Sequence, residues 1–256
     1  MTAANEVWTD VEAVRARAPL VHNITNYVVM NLTANALLAL GASPVMAHAL
    51  DEVEDMAAIA DALVLNIGTL SRPWVEAMEK AADAAARKGV PIVLDPVGAG
   101  ATRFRTETAL RLIATRAPAV VRGNASEIRA LALDEAETKG VDSRHGAEDA
   151  IDAARALARR TGGAVSVSGP VDIVLDAVGL IRIANGHPLM PRVTGLGCVA
   201  SALTGAFAAV SPSPLRAAGH AMAVMGIAGE LAGRRARGPA DFEARFIDAL
   251  YTMREK

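Results

Sequence analysis

The sequence of 256 residues contains a single cysteine, Cys198. One cysteine cannot form a disulfide within the chain, and it cannot supply the thiolates of a cysteine-rich metal cluster. Aromatic residues are also scarce, at 3% of the chain, so the apolar content of 52% comes mainly from alanine and aliphatic side chains. That composition is typical of helices packed closely on buried strands.

Neither sign of charge dominates, because 26 lysines and arginines balance 28 aspartates and glutamates. No basic run is long enough to indicate a nucleic-acid surface. No apolar run reaches the about 20 residues of a membrane span. The first twenty residues contain Glu6, Asp10 and Glu12 and have no apolar core, unlike a signal peptide. These absences predict a cytoplasmic protein without nucleic-acid or membrane partners.

Short apolar runs rich in β-branched residues alternate with longer stretches of helical spacing. This pattern is typical of parallel strands that crossover helices bury on both faces. The predicted strands are residues 20–24, 44–47, 63–67, 92–95, 119–122 and 164–168, and a hairpin of 171–177 and 179–183 is predicted to lie antiparallel at one edge. The predicted helices are residues 26–40, 52–60, 73–88, 106–116, 126–131, 147–160, 198–210, 215–232 and 241–253, with Ser71 as a cap and Gly89 as a stop.

This order predicts one α/β domain over residues 1–256, with a mostly parallel, doubly wound sheet, helices on both faces and a helical C-terminal region. The polar segment 134–146 is expected to be a surface excursion. Ligands of such sheets bind beyond the carboxyl ends of the strands. Candidate functional residues are therefore sought where predicted strands end.

A glycine turn at residues 193–198, Val-Thr-Gly-Leu-Gly-Cys, precedes an alanine-rich helix. Gly195 and Gly197 allow the backbone to approach a ligand, and the first helical turn offers unpaired N–H groups. This arrangement predicts an anion site. A tight packing turn is the alternative interpretation. Cys198 lies at the helix start, where the pKa of a thiol is expected to fall.

Two other strand ends carry charged side chains. Asp95 closes a buried strand and is well placed to hold Mg²⁺ through water, with a turn or cap role as the alternative. Arg122 indicates a phosphate clamp and Glu127 a second acidic group near the metal. Asn124 with Glu127 also matches a capping box. Because the carboxyl ends of parallel strands meet at one edge, we expect these residues to share a site with the glycine turn.

Two residues near the amino end suggest a pocket for a small heterocycle. Asn26 follows the first predicted strand and offers a hydrogen-bonding amide, although an asparagine there equally indicates a turn. Met46 lies at the next strand end, where its thioether can contact a ring, although a place in the core is the commoner role.

Six segments, residues 19–26, 42–47, 93–100, 121–127, 166–172 and 193–198, together resemble the hydroxyethylthiazole kinases along nearly the whole chain. The resemblance implies a three-layer ribokinase-like fold. It implies ATP-dependent phosphorylation of the hydroxyl of 4-methyl-5-(2-hydroxyethyl)thiazole in thiamine biosynthesis or salvage. It further implies a homotrimer whose active sites lie between subunits.

The resemblance also implies roles for individual residues: Met46, Asn26 and Gly195 bind the thiazole alcohol, Arg122 and Ser168 contact ATP, and Asp95 and Glu127 serve Mg²⁺, largely through water. Cys198 stands where most ribokinase-like enzymes carry an aspartate base, so it becomes the implied base. The backbone from Gly195 through Gly197 to Cys198 becomes the implied anion hole.

The chain departs from the family pattern at two positions. Leu196 replaces the threonine that usually lies between the two glycines, and Pro170 stands where the family often carries an acid. Two alternatives therefore stay open. One is another ribokinase-like activity, such as a pyrimidine or pyridoxal kinase or a nucleotide-dependent NAD(P)H-hydrate dehydratase, against which Cys198 argues. The other is a non-catalytic nucleotide-binding protein, against which the intact Asp95, Glu127 and Cys198 argue.

Overall fold

A sheet of eight strands forms the centre of the protein, seen in a computed structural model that describes residues 3–132 and 147–255. The strands are β1 (Leu20–Ile24), β2 (Ser43–Val45), β3 (Ala62–Asn66), β4 (Ile92–Asp95), β5 (Val120–Asn124), β6 (Ala164–Ser168), β7 (Asp172–Leu175) and β8 (Leu180–Ile183). Their order in the sheet is β2-β1-β3-β4-β5-β6-β7-β8. Strands β1 to β6 pair in parallel, whereas β7 and β8 pair antiparallel at one edge, as the hairpin pattern predicted.

Helices cover both faces of this sheet. They are α1 (Ala3–Arg17), α2 (Met30–Leu40), α3 (Val53–Ile59), α4 (Arg72–Lys88), α5 (Arg103–Thr115), α6 (Ala125–Ala132), α7 (Ile151–Thr161), α8 (Leu196–Ala208), α9 (Pro214–Gly233) and α10 (Pro239–Thr252). Successive strand residues point to opposite faces, so Val64 packs with α1, α2 and α8 to α10, while Leu63 and Leu65 pack with α3 to α7. The result is the predicted three-layer α/β fold with a helical C-terminal region.

Three predicted elements need correction, and one call lies outside the described residues. The helix predicted from residue 26 begins at Met30, because residues 26–29 form a turn in which Val29 N–H donates to the Asn26 carbonyl at 3.3 Å. Residues 147–150 are a 3₁₀ turn before α7. Ser71 precedes α4 but makes no capping hydrogen bond, whereas Gly89 ends that helix at φ 70°. The segment 134–146 lies outside the described residues.

Helix α1 was not predicted from the sequence. Its buried stripe includes Val11 and Val14, but it also includes Asp10, which interrupts the apolar periodicity. The structure shows why a carboxylate is tolerated there: Asp10 Oδ2 lies 2.6 Å from His220 Nδ1 on α9. A long-range partner of this kind cannot be recognised in a local pattern. Among the helices of the described residues, none combines the length and the apolar character needed to cross a bilayer.

Helix α8 packs closely on the sheet at Gly205, which faces β1 and β3. A Cβ on Gly205 would approach Val64 Cγ2 to 2.7 Å and Val21 Cγ1 to 3.1 Å. The missing side chain lets the helix axis settle against β1 and β3. The amino end of α8 is thereby brought to the carboxyl edge of the central strands.

Candidate active site

Polar side chains follow or end five neighbouring parallel strands at one edge of the sheet. These residues are Asn26 after β1, Asn66 at the end of β3, Asp95 at the end of β4, Arg122 in β5 and Ser168 at the end of β6. The chain runs from β1 outward to β2 and then returns to β3 on the other side. Such a switch point opens a crevice at the carboxyl ends of the strands.

The amino end of α8 faces this edge. Gly195 precedes the helix at φ 95°, a conformation that favours glycine, and a Cβ there would lie 2.8 Å from Val29 Cγ1. Val199 N–H donates to the Gly195 carbonyl at 2.9 Å as the first bond of the helix. The N–H groups of residues 196–198 precede that bond, so the helix start presents the donors and positive dipole end of an anion site.

Arg122 joins the glycine turn to the end of β6. Its Nη2 donates a short hydrogen bond to Ser168 Oγ, and its Nη1 lies 3.0 Å from the position that a Cβ on Gly197 would occupy. Its Nε is buried and has no hydrogen-bond partner. The structure thus brings Arg122 to the glycine turn, as the sequence predicted, and also to Ser168, for which only the family resemblance implied a role.

Asp95 is almost fully buried, at 1% exposure, beneath the start of α8. Its Oδ2 accepts hydrogen bonds from Asn66 Nδ2 at 2.7 Å and from Ser201 Oγ at 2.8 Å. Burial raises the pKa of Asp95 to about 6, and the negative charge of Glu127 adds to the rise, which the Arg122 cation opposes. Asp95 therefore lies close to both the cation and the second carboxylate.

Glu127 forms the capping box of α6. Its Oε2 accepts a hydrogen bond from Asn124 N–H at 2.8 Å, while Asn124 Oδ1 accepts one from Glu127 N–H at 2.9 Å. Its Oε1 accepts a hydrogen bond from Gly98 N–H at 2.8 Å, which ties the loop after β4 to α6. The structural interpretation of Asn-x-x-Glu is confirmed, and the negative charge of Glu127 contributes to the raised pKa of Asp95.

The thiol of Cys198 differs from the sequence expectation. Burial raises the pKa of Cys198 to about 11, and the Asp95 carboxylate adds to the rise. A hydrogen bond from Asn26 Nδ2 to Sγ at 3.5 Å and the charge of Arg122 act in the opposite direction and are outweighed. The prediction of a lowered pKa is wrong, because it considered the helix start and neither the burial of the thiol nor the neighbouring Asp95 carboxylate.

Asn66 and Ser201 belong to the site although the sequence analysis did not single them out. Asn66 links Asp95 to Asn26, whose Nδ2 donates to Asn66 Oδ1 at 2.9 Å. An asparagine at the end of a buried apolar strand was a usable signal for the first residue. Ser201 gave no comparable signal, because a serine in an alanine-rich helix is ordinary until the helix is placed over Asp95.

A cleft of about 580 Å³ opens beside Arg122 and the glycine turn. Its lining includes Arg122, Ser168, Gly169, Pro170, Asp172, Asn185, His187, Leu196, Gly197, Met222 and Met225. A volume in this range suits a small-molecule ligand, and apolar walls with a few convergent polar groups are usual for such sites. The cleft has a cation and the donors of α8 near its wall and therefore suits an anionic ligand.

Met46 does not line this cleft. It follows β2, and its carbonyl oxygen lies 3.2 Å from His48 Nδ1. Asn26 is also outside the lining, although it contacts Cys198. Two of the three predicted thiazole contacts, Asn26 and Met46, therefore lie on the β1–β2 side of the third, Gly195, and the cleft lies beyond Arg122 on the other side.

Comparisons with known proteins agree on one family. The Hydroxyethylthiazole kinase family matches residues 11–256 of the chain. A protein of Syntrophus aciditrophicus named hydroxyethylthiazole kinase is 58% identical over 250 residues, which cover 97% of this chain and 93% of that protein. One from Leptospira biflexa is 54% identical and covers 95% of this chain and 91% of its own.

Solved structures show the same fold. The structure of hydroxyethylthiazole kinase from Pyrococcus horikoshii superposes with a TM-score of 0.91 at 47% identity, covering 98% of this chain and 94% of that one. A pyridoxal kinase of Staphylococcus aureus, solved with AMP-PCP and pyridoxal, has a TM-score of 0.64 at 17% identity, covering 83% of this chain and 88% of that one. A ribokinase-like protein of Enterococcus faecalis has a TM-score of 0.66 at 12% identity, covering 91% of this chain and 85% of that one. The ribokinase-like fold is thereby shown.

Proposed function

The chain belongs to the hydroxyethylthiazole kinase family and is a kinase. From that premise we propose that it phosphorylates 4-methyl-5-(2-hydroxyethyl)thiazole with ATP, for thiamine biosynthesis or salvage. The observation that carries the proposal is the meeting of the α8 amino end and Arg122 at one cleft, with Asp95 directly behind them. Phosphoryl transfer depends mainly on positioning and electrostatic stabilisation, which these groups supply.

ATP fits the cleft that Arg122 and Ser168 border. The guanidinium of Arg122 carries a buried Nε without a partner, and a planar cation of this kind is suited to phosphate oxygens. The backbone N–H groups from Gly195 to Cys198 would hold the transferred phosphate. Leu196 is compatible with this geometry, because the donors are backbone N–H groups and do not require the hydroxyl of the threonine that it replaces.

The carboxylates Asp95 and Glu127 have the chemistry of a Mg²⁺ site. Magnesium prefers oxygen ligands and usually keeps several waters while one or two carboxylates and the substrate phosphates hold it. Both hydrogen bonds to Asp95 reach Oδ2, which leaves Oδ1 for the cation or its water. Asp95 and Glu127 would hold Mg²⁺, which would supply positive charge next to the transferred phosphate.

In the proposed step the alcohol oxygen of the thiazole attacks the γ-phosphorus in line. A bond forms between these atoms, and the bond from the γ-phosphorus to the β–γ bridging oxygen breaks, so that ADP leaves. The hydroxyl proton passes to Cys198 Sγ, which must be in its thiolate form to accept it. Burial and the Asp95 carboxylate raise the pKa of this thiol. A cation that offset the charge of Asp95 would lower that pKa again and so favour the thiolate.

We expect Cys198→Ala to lower kcat about 10²-fold, the lower end of what general-base help contributes. The KM for ATP should change little, because Cys198 is outside the cleft lining. Steady-state assays with the thiazole alcohol check this, with Cys198→Ser as the variant of matched size. An unchanged kcat in Cys198→Ala would remove the base assignment and leave the kinase assignment in place.

A homotrimer with sites between subunits completes the proposal. Tyr27 and Val28 follow Asn26 directly and are 65% and 66% exposed, which is unusual for large apolar side chains beside a site. Met46 lies on this same side of the glycine turn. A second subunit packed there would close a thiazole pocket from Asn26, Met46 and Gly195. Sedimentation equilibrium should give three times the chain mass of 26.5 kDa.

The substrate is tested by ADP release with Mg²⁺ and each of three acceptors: the thiazole alcohol, a hydroxymethylpyrimidine and pyridoxal. The proposal expects kcat/KM for the thiazole alcohol to exceed the other two at least 100-fold. Preference for another acceptor would favour a different ribokinase-like activity. ATP binding without ADP release for any acceptor would favour a non-catalytic nucleotide-binding protein.

A further inference from the structure

We infer that Asn66 is a positioning residue for phosphoryl transfer, whose side-chain amide holds the Asp95 carboxylate on one side and the Asn26 amide on the other. Asn66 ends β3 and is 1% exposed. A buried amide needs partners for both its nitrogen and its oxygen, and here all the partners belong to the site or its supporting loop.

The orientation of the Asn66 amide is fixed by its neighbours. Its Oδ1 accepts a hydrogen bond from Gly68 N–H at 3.0 Å, and a backbone N–H can only donate. The nitrogen must therefore face Asp95 Oδ2, at 2.7 Å. Asp95 Oδ2 must then accept the hydrogen bond from this nitrogen, so a proton on the Asp95 carboxyl group would have to sit on Oδ1.

The Asp95 carboxylate is consequently held in one direction. Asn66 Nδ2 and Ser201 Oγ both donate to Oδ2, and they approach from β3 and from α8. Two donors on one oxygen restrict rotation of the carboxyl group, so the direction of Oδ1 is fixed as well. Asn66 thus sets the position of the charge that the proposed metal site needs.

The oxygen of the same amide acts on the acceptor side of the site. Asn66 Oδ1 accepts from Asn26 Nδ2 at 2.9 Å, and that nitrogen also donates to Cys198 Sγ at 3.5 Å. One planar group therefore fixes the distance between Asp95 and the amide that contacts the thiol. Among the described residues, no other side chain forms hydrogen bonds to both Asp95 and Asn26.

The backbone around Asn66 is braced as well. Arg105 Nη1 donates to the Ile67 carbonyl at 3.0 Å and to the Val97 carbonyl at 2.6 Å, and its Nη2 donates to the Gly68 carbonyl at 2.5 Å. The loops that follow β3 and β4 are joined by this single guanidinium. Asn66 accordingly holds Asp95 from a support that is itself fixed.

The test uses the full-length protein, since the inference rests on the proposed function. Asn66→Ala removes the amide, and Asn66→Asp keeps its size while replacing the donor that faces Asp95 with an acceptor. We expect kcat for thiazole phosphorylation to fall about 10²-fold in both, the loss typical of a misplaced reacting group. The Kd for ATP, measured by calorimetry, should stay within threefold, because Asn66 does not line the cleft.

Asn23→Ala is the matched control. Asn23 is equally buried, at 1% exposure, lies on the neighbouring strand β1, and donates only to the Val21 carbonyl at 2.8 Å. It should lose thermal stability like Asn66→Ala and keep kcat within threefold. The inference is overturned if both Asn66 variants keep kcat. It is also overturned if their loss of kcat is matched by an equal loss of ATP binding, or if Asn23→Ala loses as much kcat as Asn66→Ala does.

The two proposals fail differently. If the unsubstituted protein releases no ADP with the thiazole alcohol, the proposed function fails and the role of Asn66 falls with it. If the unsubstituted protein turns over and the Asn66 variants match it, only the positioning role is wrong. If Asn66→Ala does not fold, the kcat and the ATP Kd of the isosteric variant Asn66→Asp test the positioning role alone.

Discussion

Asp95→Asn is expected to lower kcat by about 10²–10³-fold and, at the same time, to make the ligand-free protein more stable above pH 7. The activity falls because the variant loses the charge that would hold Mg²⁺, and loss of one electrostatic contributor typically has this effect. The fold is retained because the asparagine oxygen can still accept the hydrogen bonds from Asn66 and Ser201.

The stability gain follows from the raised pKa of Asp95. Burial brings that pKa from 3.8 to about 6, so the folded protein binds the proton more tightly than the unfolded chain does. The free energy of unfolding therefore falls as pH rises from about 4 to about 6, and above that the carboxylate costs about 3 kcal/mol. Asparagine, which is uncharged, avoids this cost. Urea unfolding should show a gain of up to about 3 kcal/mol at pH 7.5 and roughly half of that at pH 5.

Asp10→Asn provides the control for this prediction. Asp10 is also a buried carboxyl, but it is paired with His220 between α1 and α9 and does not line the cleft. Its substitution should leave kcat within threefold and should reduce stability, because the His220 ring loses a carboxylate partner. The interpretation of Asp95 is contradicted if its variant keeps kcat, or if the stability difference grows as the pH falls.

The parallel sheet and most of its helices were predictable because their signals are local. The runs that form β1, β4 and β6 were predicted with the observed ends, since buried parallel strands are continuous apolar segments. Helix α1 was missed because Asp10 interrupts its apolar pattern. The buried carboxylate is tolerated because it pairs with His220, 210 residues away in sequence. The prediction failed where a polar side chain depends on a distant partner.

The site shows the same division. The glycine turn, Asp95 and Arg122 could be found because strand ends in an α/β fold converge. Asn66 gave a signal as an asparagine at the end of a buried strand, but its contact with Asp95 depends on the register of β3 with β4. The role of Ser201 could not be found, because it follows from the packing of α8 over Asp95. The pKa of Cys198 was predicted in the wrong direction for the same reason: burial and the carboxylate that raise it lie on other elements.

Arg122→Gln is expected to reduce kcat/KM for ATP by about 10²–10³-fold, the typical effect of removing one preorganised donor at a transferred group. Glutamine is shorter than arginine, carries no charge and has only two donors. The loss should appear in both KM and kcat, because Arg122 borders the cleft and the glycine turn together. Steady-state kinetics with varied ATP measures both constants.

Two variants separate charge from geometry at Arg122. Arg122→Lys keeps the cation but cannot donate in two fixed directions, so it should recover about tenfold of the loss and no more. Arg182→Gln removes an exposed arginine whose partner is Glu148, and its kinetics should not change. A lysine variant with full activity would show that only the charge matters, whereas unchanged ATP kinetics in Arg122→Gln would place the triphosphate elsewhere. The second result would contradict the nucleotide site, because Arg122 and the start of α8 would then line a cleft that ATP does not use.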